Sequence, residues 1–513
     1  MIVRTAVVVA CAVSIAVAGP RWLRVAQREH YLVDATSRFA LRWWTSGPLN
    51  LAGLVVAIAG LLLSSRWPAC AFATAAVVAA GPIGLSWRGR TAPLVWTRRL
   101  RTLALVWMGI EIAAVAGGAI AGQGPVTAAG AALAVPALVD LACAVTAPIE
   151  RRLARVHVSR AAARLRRVAP TVVAITGSFG KTSTKGYVAH LVGGARSVVA
   201  SPASFNNRAG LARAVNEHLA DGTEVFVAEM GTYGRGEIAE LCSWIRPDVS
   251  VITAVGPVHL ERFRSEDRVL EAKAEILQDA PCAVLVIDDE RLAALAETRA
   301  GLGTRVWRVS ALDTSADVCV VEERGALTVH VRGEEMARAV PVDARPGNVA
   351  AAIAVALELG VPAADVVRRL PTLPGAPHRL EQTLGTEGVV VLDDTYNANP
   401  AGARAALATL RRLGTDATRR VVVTPGMVEL GPLQAKENTG FGAEVAEVAT
   451  DLVVVGRTNR RTLLRGARQP STGTGPPRIV VVRTRPEATQ WVREHLDPGD
   501  VVLYENDLPD HYP

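Results

Sequence analysis

The chain has 513 residues, enough for two or three domains, and half of them are hydrophobic while only 4% are aromatic. Its net charge of +8 requires no nucleic-acid partner, because much of the excess is arginine beside apolar runs, where an anionic membrane leaflet is the expected neighbour. Six cysteines without a CxxC pair exclude a disulfide framework or a zinc site as the organising device.

The first 150 residues carry five apolar runs, at 5–19, 47–64, 67–87, 102–121 and 126–147. About 20 helical residues cross a bilayer core of roughly 30 Å, so a helical transmembrane region of about five spans is predicted over 1–150. The end of the first run, Ala-Val-Ala-Gly-Pro, also resembles a signal-peptide cleavage site; because apolar runs continue after it, a retained anchor is expected. Arginines concentrate in 20–46 (Arg21, Arg24, Arg28, Arg38, Arg42), in 86–101 (Arg88, Arg90, Arg98, Arg99, Arg101) and in 151–167, which holds seven. The turns at 65–66 and 122–125 contain only Arg66. The positive-inside rule then places the three arginine-rich stretches in the cytoplasm, the N-terminus outside and residues 148–513 inside. The expectation is a multi-pass inner-membrane protein with cytoplasmic catalytic domains. Residues 151–167 read as a juxtamembrane linker whose arginines act either as topology determinants or as contacts to membrane lipids. Glu111 and Asp140 fall inside the runs, either as functional intramembrane acids or as structural hydrogen-bonding groups between helices.

From residue 168 the texture changes to short valine-rich runs alternating with helical stretches, the pattern of parallel α/β sheets. Strands are predicted at 171–176, 224–229, 248–255, 283–288, 388–394, 420–425, 451–456, 478–482 and 500–505. Helices are predicted at 181–192, 207–220, 267–279, 347–359 and 400–413. The proline-rich stretch PTLPGAPHR (371–379) divides a central α/β domain, 168–372, from a Rossmann-like C-terminal α/β domain, 373–513.

Chemistry concentrates in a few stretches. VVAITGSFGKTSTKG is a strand, a glycine-containing turn and a helix start. The backbone of such a turn (Gly177, Ser178, Gly180) cradles phosphates, Lys181 neutralises them, and Thr182, beside Ser183, offers a hydroxyl to Mg²⁺. The strict P-loop pattern has glycine where Ile175 stands. Glu229 ends one strand, His259 follows the next, and Lys273 lies on the helix after that. Ligands of open α/β sheets collect at the carboxyl ends of the strands, so Glu229 and His259 read as metal ligands near the phosphates. Only four of the 56 basic residues are lysine: Lys181, Lys185, Lys273 and Lys436. EAKAE around Lys273 reads alone as a solvated helix face, and Lys185 and Lys436 have no evident role.

TGSFGKT, FNN (205–207), AEMGTYGRGEI, HLERF, AKAEI, HRLE (378–381) and DDTYNANP (393–400) together resemble the Mur ligases, most of all the MurF branch, over about 168–513. That resemblance implies a P-loop ATPase domain and a closing C-terminal domain, which make an amide from ATP, a carboxylate and an amine through an acyl-phosphate. It implies ATP bound by Gly177, Ser178, Gly180, Lys181, Thr182 and Ser183. Asn348 would stand near adenine, and Arg379 and Asp394 would reach the nucleotide, with Asn397 and Asn399 beside them. Two Mg²⁺ ions are implied, with Thr182 on one and Glu229 and His259 on the other. A CO₂-derived carbamate on Lys273 would help bind metal, so Lys181, His259 and Lys273 would form the catalytic set. Where the family's usual second adenine-side asparagine is expected, Ala351 stands.

The departures concern substrates. Apolar runs occupy the place of the family's UDP-sugar domain. VTPGMVELG (423–431) keeps Met-x-Glu-Leu-Gly but has Thr-Pro-Gly before it, and LYENDLPDHYP replaces a Lys-Gly-Ser stretch. The first expectation is therefore a membrane-anchored ligase whose carboxylate substrate is lipid-linked, amphipathic or polymeric, and whose amine is an amino acid or dipeptide. It would act in envelope, peptidoglycan-related or polymer synthesis. The alternatives are orthodox addition of D-Ala-D-Ala to a UDP-linked tripeptide, and a P-loop ATPase driving transport.

Overall fold

The computed structural model describes residues 2–87, 93–202, 205–323, 326–338, 344–375, 378–385, 388–396, 399–415, 417–469, 475–508 and 511–513. The chain forms two compact units, one of Met1–Leu153 with Gly456–Thr458 and Leu508–Pro513, the other of Ala154–Val455 with Asn459–Asp507.

The first unit is helical. Helices Ile2–Arg28, Arg98–Ile120 and Gly124–Val168 are each long and apolar enough to cross a membrane, and Ala35–Trp44 with Pro48–Ser64 forms a pair bent by 111° that would make a fourth. The run at 67–87 is shorter in helix than its composition suggested. After a 3₁₀ turn its helix spans Ala71–Ala80, and Gly81-Pro82 follows. Proline has no N–H to donate and disfavours helix in the residue before it, so the helix stops well short of 20 residues. Five independent spans thus become three or four. Pro48–Ser64 and Ala71–Ala80 run as an antiparallel hairpin, Gly53 against Val77 and Gly60 against Thr74. Thr74 Oγ1 donates to Ala57 O at 2.8 Å across it.

Both acids in the apolar runs have structural hydrogen bonds. Asp140 accepts from Thr36 N (3.1 Å), Ser37 N (2.8 Å) and Ser37 Oγ (2.6 Å), meeting first-turn N–H groups that a helix leaves unpaired. Glu111 accepts from Trp107 Nε1 at 3.0 Å, one turn away. The arginine-rich 151–167 stretch is helical, continuous with Gly124–Val168, as arginine's good helix propensity allows. The chain's last residues also belong to the helical unit. Trp43 Nε1 donates to His511 O at 2.6 Å, His511 Nε2 lies 3.1 Å from Glu29 Oε1, and the Phe39 and Tyr512 rings meet edge-on at 4.9 Å.

The second unit holds two sheets. The strands of the first are β1 (Thr171–Thr176), β2 (Val198–Ala200), β3 (Val225–Glu229), β4 (Val249–Ile252), β5 (Cys282–Val286), β6 (Arg305–Ser310), β7 (Val318–Glu323), β8 (Ala326–Val331) and β9 (Glu334–Arg338). Their order is β2-β3-β1-β4-β5-β6-β7-β8-β9, parallel as far as β7 and antiparallel beyond. The second comprises β10 (Glu381–Leu384), β11 (Val390–Asp394), β12 (Arg420–Thr424), β13 (Asp451–Val455), β14 (Arg478–Val482) and β15 (Val501–Glu505), in the order β10-β11-β15-β12-β13-β14. Only β10 pairs antiparallel there.

Strands buried on both faces need continuous apolar runs, and β1, β3, β4 and β5 have them. Helices Lys181–Val192 and Pro346–Glu358 cover one face of the first sheet. Helices Arg208–His218, Glu237–Ile245, Glu266–Ala274 and Glu290–Gly301 cover the other, joined by Ala161 and Leu165 from the end of Gly124–Val168. In the second sheet's layer, helices Gln434–Val448 and Arg460–Ala467 cross so closely that a Cβ on Gly466 would stand 1.9 Å from Thr439 O. Gly466→Ala should therefore cost about 1–3 kcal/mol by forced separation of the two helices, read as a lower denaturation midpoint at unchanged m-value.

Candidate active site

The carboxyl ends of β1, β3 and β4 place the predicted residues. After β1 the chain turns through Gly177 (φ +156°) and Gly180 (φ +85°) into helix Lys181–Val192. A Cβ at Gly180 would lie 2.4 Å from Asn348 Oδ1, and one at Gly177 2.0 Å from Thr253 Oγ1. Both positions need glycine for conformation and for space. Ser178 ties the loop to the next strand's end, its hydroxyl accepting from Gly256 N at 3.0 Å. Lys181 folds back over the loop, Nζ donating to Gly177 O at 2.8 Å. A turn of this shape opening a helix suits phosphate.

Glu229, the last residue of β3, is the hub. Its Oε2 accepts from Thr182 Oγ1 (3.0 Å) and Lys185 Nζ (3.0 Å), and its Oε1 from Asn206 Nδ2 (3.1 Å). Burial alone would raise this carboxyl's pKa; the Lys185 and Lys181 ammonium groups outweigh burial and hold it below its ordinary value. Thr182 and Glu229 thus stand side by side as a hydroxyl and a carboxylate, oxygen donors of the kind a hard cation such as Mg²⁺ takes. Lys185 is the residue the sequence reading passed over. It lies four residues after Lys181 on the same helix, and that i, i+4 spacing was the available signal.

His259 adopts positive φ (53°) just before the short helix Leu260–Phe263. Its Nδ1 meets Glu429 Oε2 and its ring packs edge-on against Tyr233 at 4.9 Å. Glu429 belongs to the GMVELG stretch of the C-terminal domain. When a carboxylate holds one imidazole nitrogen, the other is left as a ligand of fixed tautomer, so this arrangement suits metal binding. The structure brings Thr182 and Glu229 into contact with each other; His259 it brings to Glu429.

Lys273 is buried, 4% exposed, at the end of helix Glu266–Ala274. Burial, then the nearby Lys181 ammonium, pushes its pKa well below the usual lysine value. Lys181 itself is pushed down to about 8, by burial first and Arg379 besides, against the pull of Glu229. The solvated-helix reading of EAKAE therefore fails at Lys273. Two amines crowd one low-dielectric site, which an anion would relieve.

Across a crevice from the loop stand residues of the C-terminal domain. Phe179, Gly180, Ser183, Tyr187, Arg345 and Asn348 line one side, and Arg379, Leu380, Asp394, Asn399 and Gly402 the other. Arg379 lies over the Tyr396 ring at 4.5 Å. Asp394 accepts from Leu380 N at 3.2 Å, and its pKa is raised to about 6 by burial, against Arg345 and Arg379. Asn399 caps helix Pro400–Leu413 by accepting from Gly402 N at 2.9 Å. Asn397 lies outside the described residues.

A glycine turn opening a helix, a hydroxyl and a carboxylate side by side, and a facing domain that contributes Arg379 and Asp394 are the equipment of an enzyme that activates a carboxylate with ATP. The Mur ligase middle-domain model matches residues 175–356, and the Mur ligase glutamate ligase domain model matches 378–504. The UDP-N-acetylmuramoyl-tripeptide–D-alanyl-D-alanine ligase of Mycobacterium tuberculosis is 34% identical over 359 residues, covering 65% of this chain and 69% of that relative. Crystal structure I of MurF from Acinetobacter baumannii superposes with a TM-score of 0.60 at 26% identity, covering 69% of this chain and 77% of that one. MurF from Thermotoga maritima in complex with ADP gives 0.58 at 25%, covering 69% and 80%. The chain is thus an ATP-dependent, ADP-forming ligase that makes C–N bonds. It belongs to the Mur ligase family, and its ligase region is MurF-like.

Proposed function

We propose that this ligase works at the membrane, joining an amino-acid or dipeptide amine to a carboxylate that is lipid-linked, amphipathic or part of a growing polymer, in envelope or peptidoglycan-related synthesis. One observation carries the reading: ahead of the ligase region, the same chain has three helices of membrane-crossing length and apolarity. Their outward residues include Val9, Ile112 and Ile120, which are exposed. The hairpin of Pro48–Ser64 and Ala71–Ala80 returns to the side it left whether it crosses or only dips, so the arginine pattern still favours cytoplasmic ligase domains. Orthodox addition of D-Ala-D-Ala to a UDP-linked tripeptide is the second reading, supported by the 34% identity to an enzyme of that name.

Within the site, Lys181 and the backbone around Gly177 and Gly180 hold the ATP phosphates, with Ser183 and Asn348 along the nucleotide and Arg379 and Asp394 closing from the C-terminal domain. Thr182 is assigned to one Mg²⁺, and Glu229 and His259 to a second. Bound there, the ions would supply positive charge where a carboxylate and the γ-phosphate, two anions, must meet. Lys273, whose burial favours the neutral amine, would add CO₂ through its nitrogen and release a proton, becoming a carboxylate on a long arm. Arginine cannot do this. Closure excludes water from the labile acyl-phosphate.

The test is a deletion strain with mass spectrometry of its lipid and soluble fractions. Accumulation of an unligated lipid-linked or polymeric carboxylate is expected. Accumulation of soluble UDP-linked tripeptide, with rescue of MurF depletion by this gene, would instead establish the orthodox reading.

A further inference from the structure

Arg345 drew no attention in the sequence, yet it stands where the two lobes of the ligase region meet. It precedes helix Pro346–Glu358 of the central domain. Its Nη2 would lie 3.2 Å from a Cβ on Gly402, at the start of helix Pro400–Leu413 in the C-terminal domain. Its guanidinium carbon is 5.9 Å from the Phe179 ring of the phosphate loop. It lines the same crevice as Gly180, Ser183, Asn348 and Arg379.

Behind it lie two acids. Glu505, the last residue of β15, pairs in register with Asp394 of β11 and is fully buried. Neither of its carboxyl oxygens has a hydrogen bond of normal geometry among the described residues. Burial, and then Asp394 beside it, pushes its pKa well above the carboxylate range, while Arg345 pulls the other way. A pair of adjoining acids that retains one proton carries a single negative charge. Arg345 and Arg379 bring two positive charges to it. Both guanidinium groups line the crevice with Gly180 and Ser183, beside the loop that a polyphosphate would occupy, and a planar guanidinium grips phosphate through two parallel N–H bonds.

We propose that Arg345 is a phosphate-binding residue for the nucleotide, reaching the loop from the wall of the crevice and oriented by the charge of Asp394 and Glu505. The assignment rests on the proposed seating of ATP at the phosphate loop. It gives Glu505, which stands in place of the expected Lys-Gly-Ser stretch, a positioning role.

Calorimetry on the full detergent-solubilised chain, with ADP and adenosine as probes, tests it. Arg345→Gln should weaken ADP at least tenfold and leave adenosine unchanged, while Arg345→Lys falls between. Glu505→Gln should weaken ADP a few-fold, and the double variant should be no weaker than Arg345→Gln alone, since both act through one contact. Unchanged ADP affinity in Arg345→Gln, an equal loss for ADP and adenosine, or additive losses in the double variant would overturn the proposal. If the unaltered chain bound no ADP, the seating of ATP at the loop would itself be wrong.

Discussion

Lys273→Arg should abolish amide formation while leaving the fold and ADP binding intact. Arginine keeps the charge and much of the length, so a lysine that served only as a cation would tolerate the change. Lys273 is buried, with its pKa well below the ordinary value through burial and the Lys181 ammonium, which favours the free amine that carbamate formation requires. Guanidinium stays protonated and cannot add CO₂. Lys273→Ala should be equally inactive alone and recover part of its rate with millimolar formate or acetate, which supply the missing carboxylate. Amide formation followed by mass spectrometry reads both variants. Full activity of the arginine variant would leave Lys273 as a buried structural lysine.

Glu229→Gln should remove activity and destabilise the central domain together. Glu229 and Lys185 form an ion pair at 3.0 Å with side chains only 2% and 7% exposed. Removing one member of a buried pair strands the other, at a cost of about 3–5 kcal/mol. Combining Glu229→Gln with Lys185→Met removes the stranded charge as well. Most of the lost stability should return in denaturant titration, with no return of activity, because the carboxylate proposed for metal is still absent. A double variant that regained ligation would show that Glu229 serves the fold alone.

Much of this site was legible because its residues sit at strand ends within short motifs. The phosphate loop follows the valine-rich β1 and Glu229 ends β3, so the strand-end rule places them; Lys273, at the end of helix Glu266–Ala274, was legible only through the AKAEI resemblance. Every strand expected in the ligase region formed. Those missed were the short β2 and β10 and the strands β6 to β9, where polar residues such as Glu334 and Glu335 interrupt the apolar run. Contacts made at long range were not legible. Glu429 reaches His259 from 170 residues away, and Arg345 comes within electrostatic reach of Asp394 and Glu505 only after two sheets have formed. The apolar run at 67–87 misled because composition counts residues, while Gly81-Pro82 ends a helix regardless of what lies on either side.

The central claim is that ATP is spent here to join a carboxylate to an amine. The direct measurement is ADP release by the solubilised full chain, with envelope-derived carboxylate fractions and candidate amines supplied separately and together. ADP release that requires both, with an amide product carrying the summed mass less one water, is the predicted result. ADP release indifferent to any carboxylate–amine pair, with no ligated product, would contradict it.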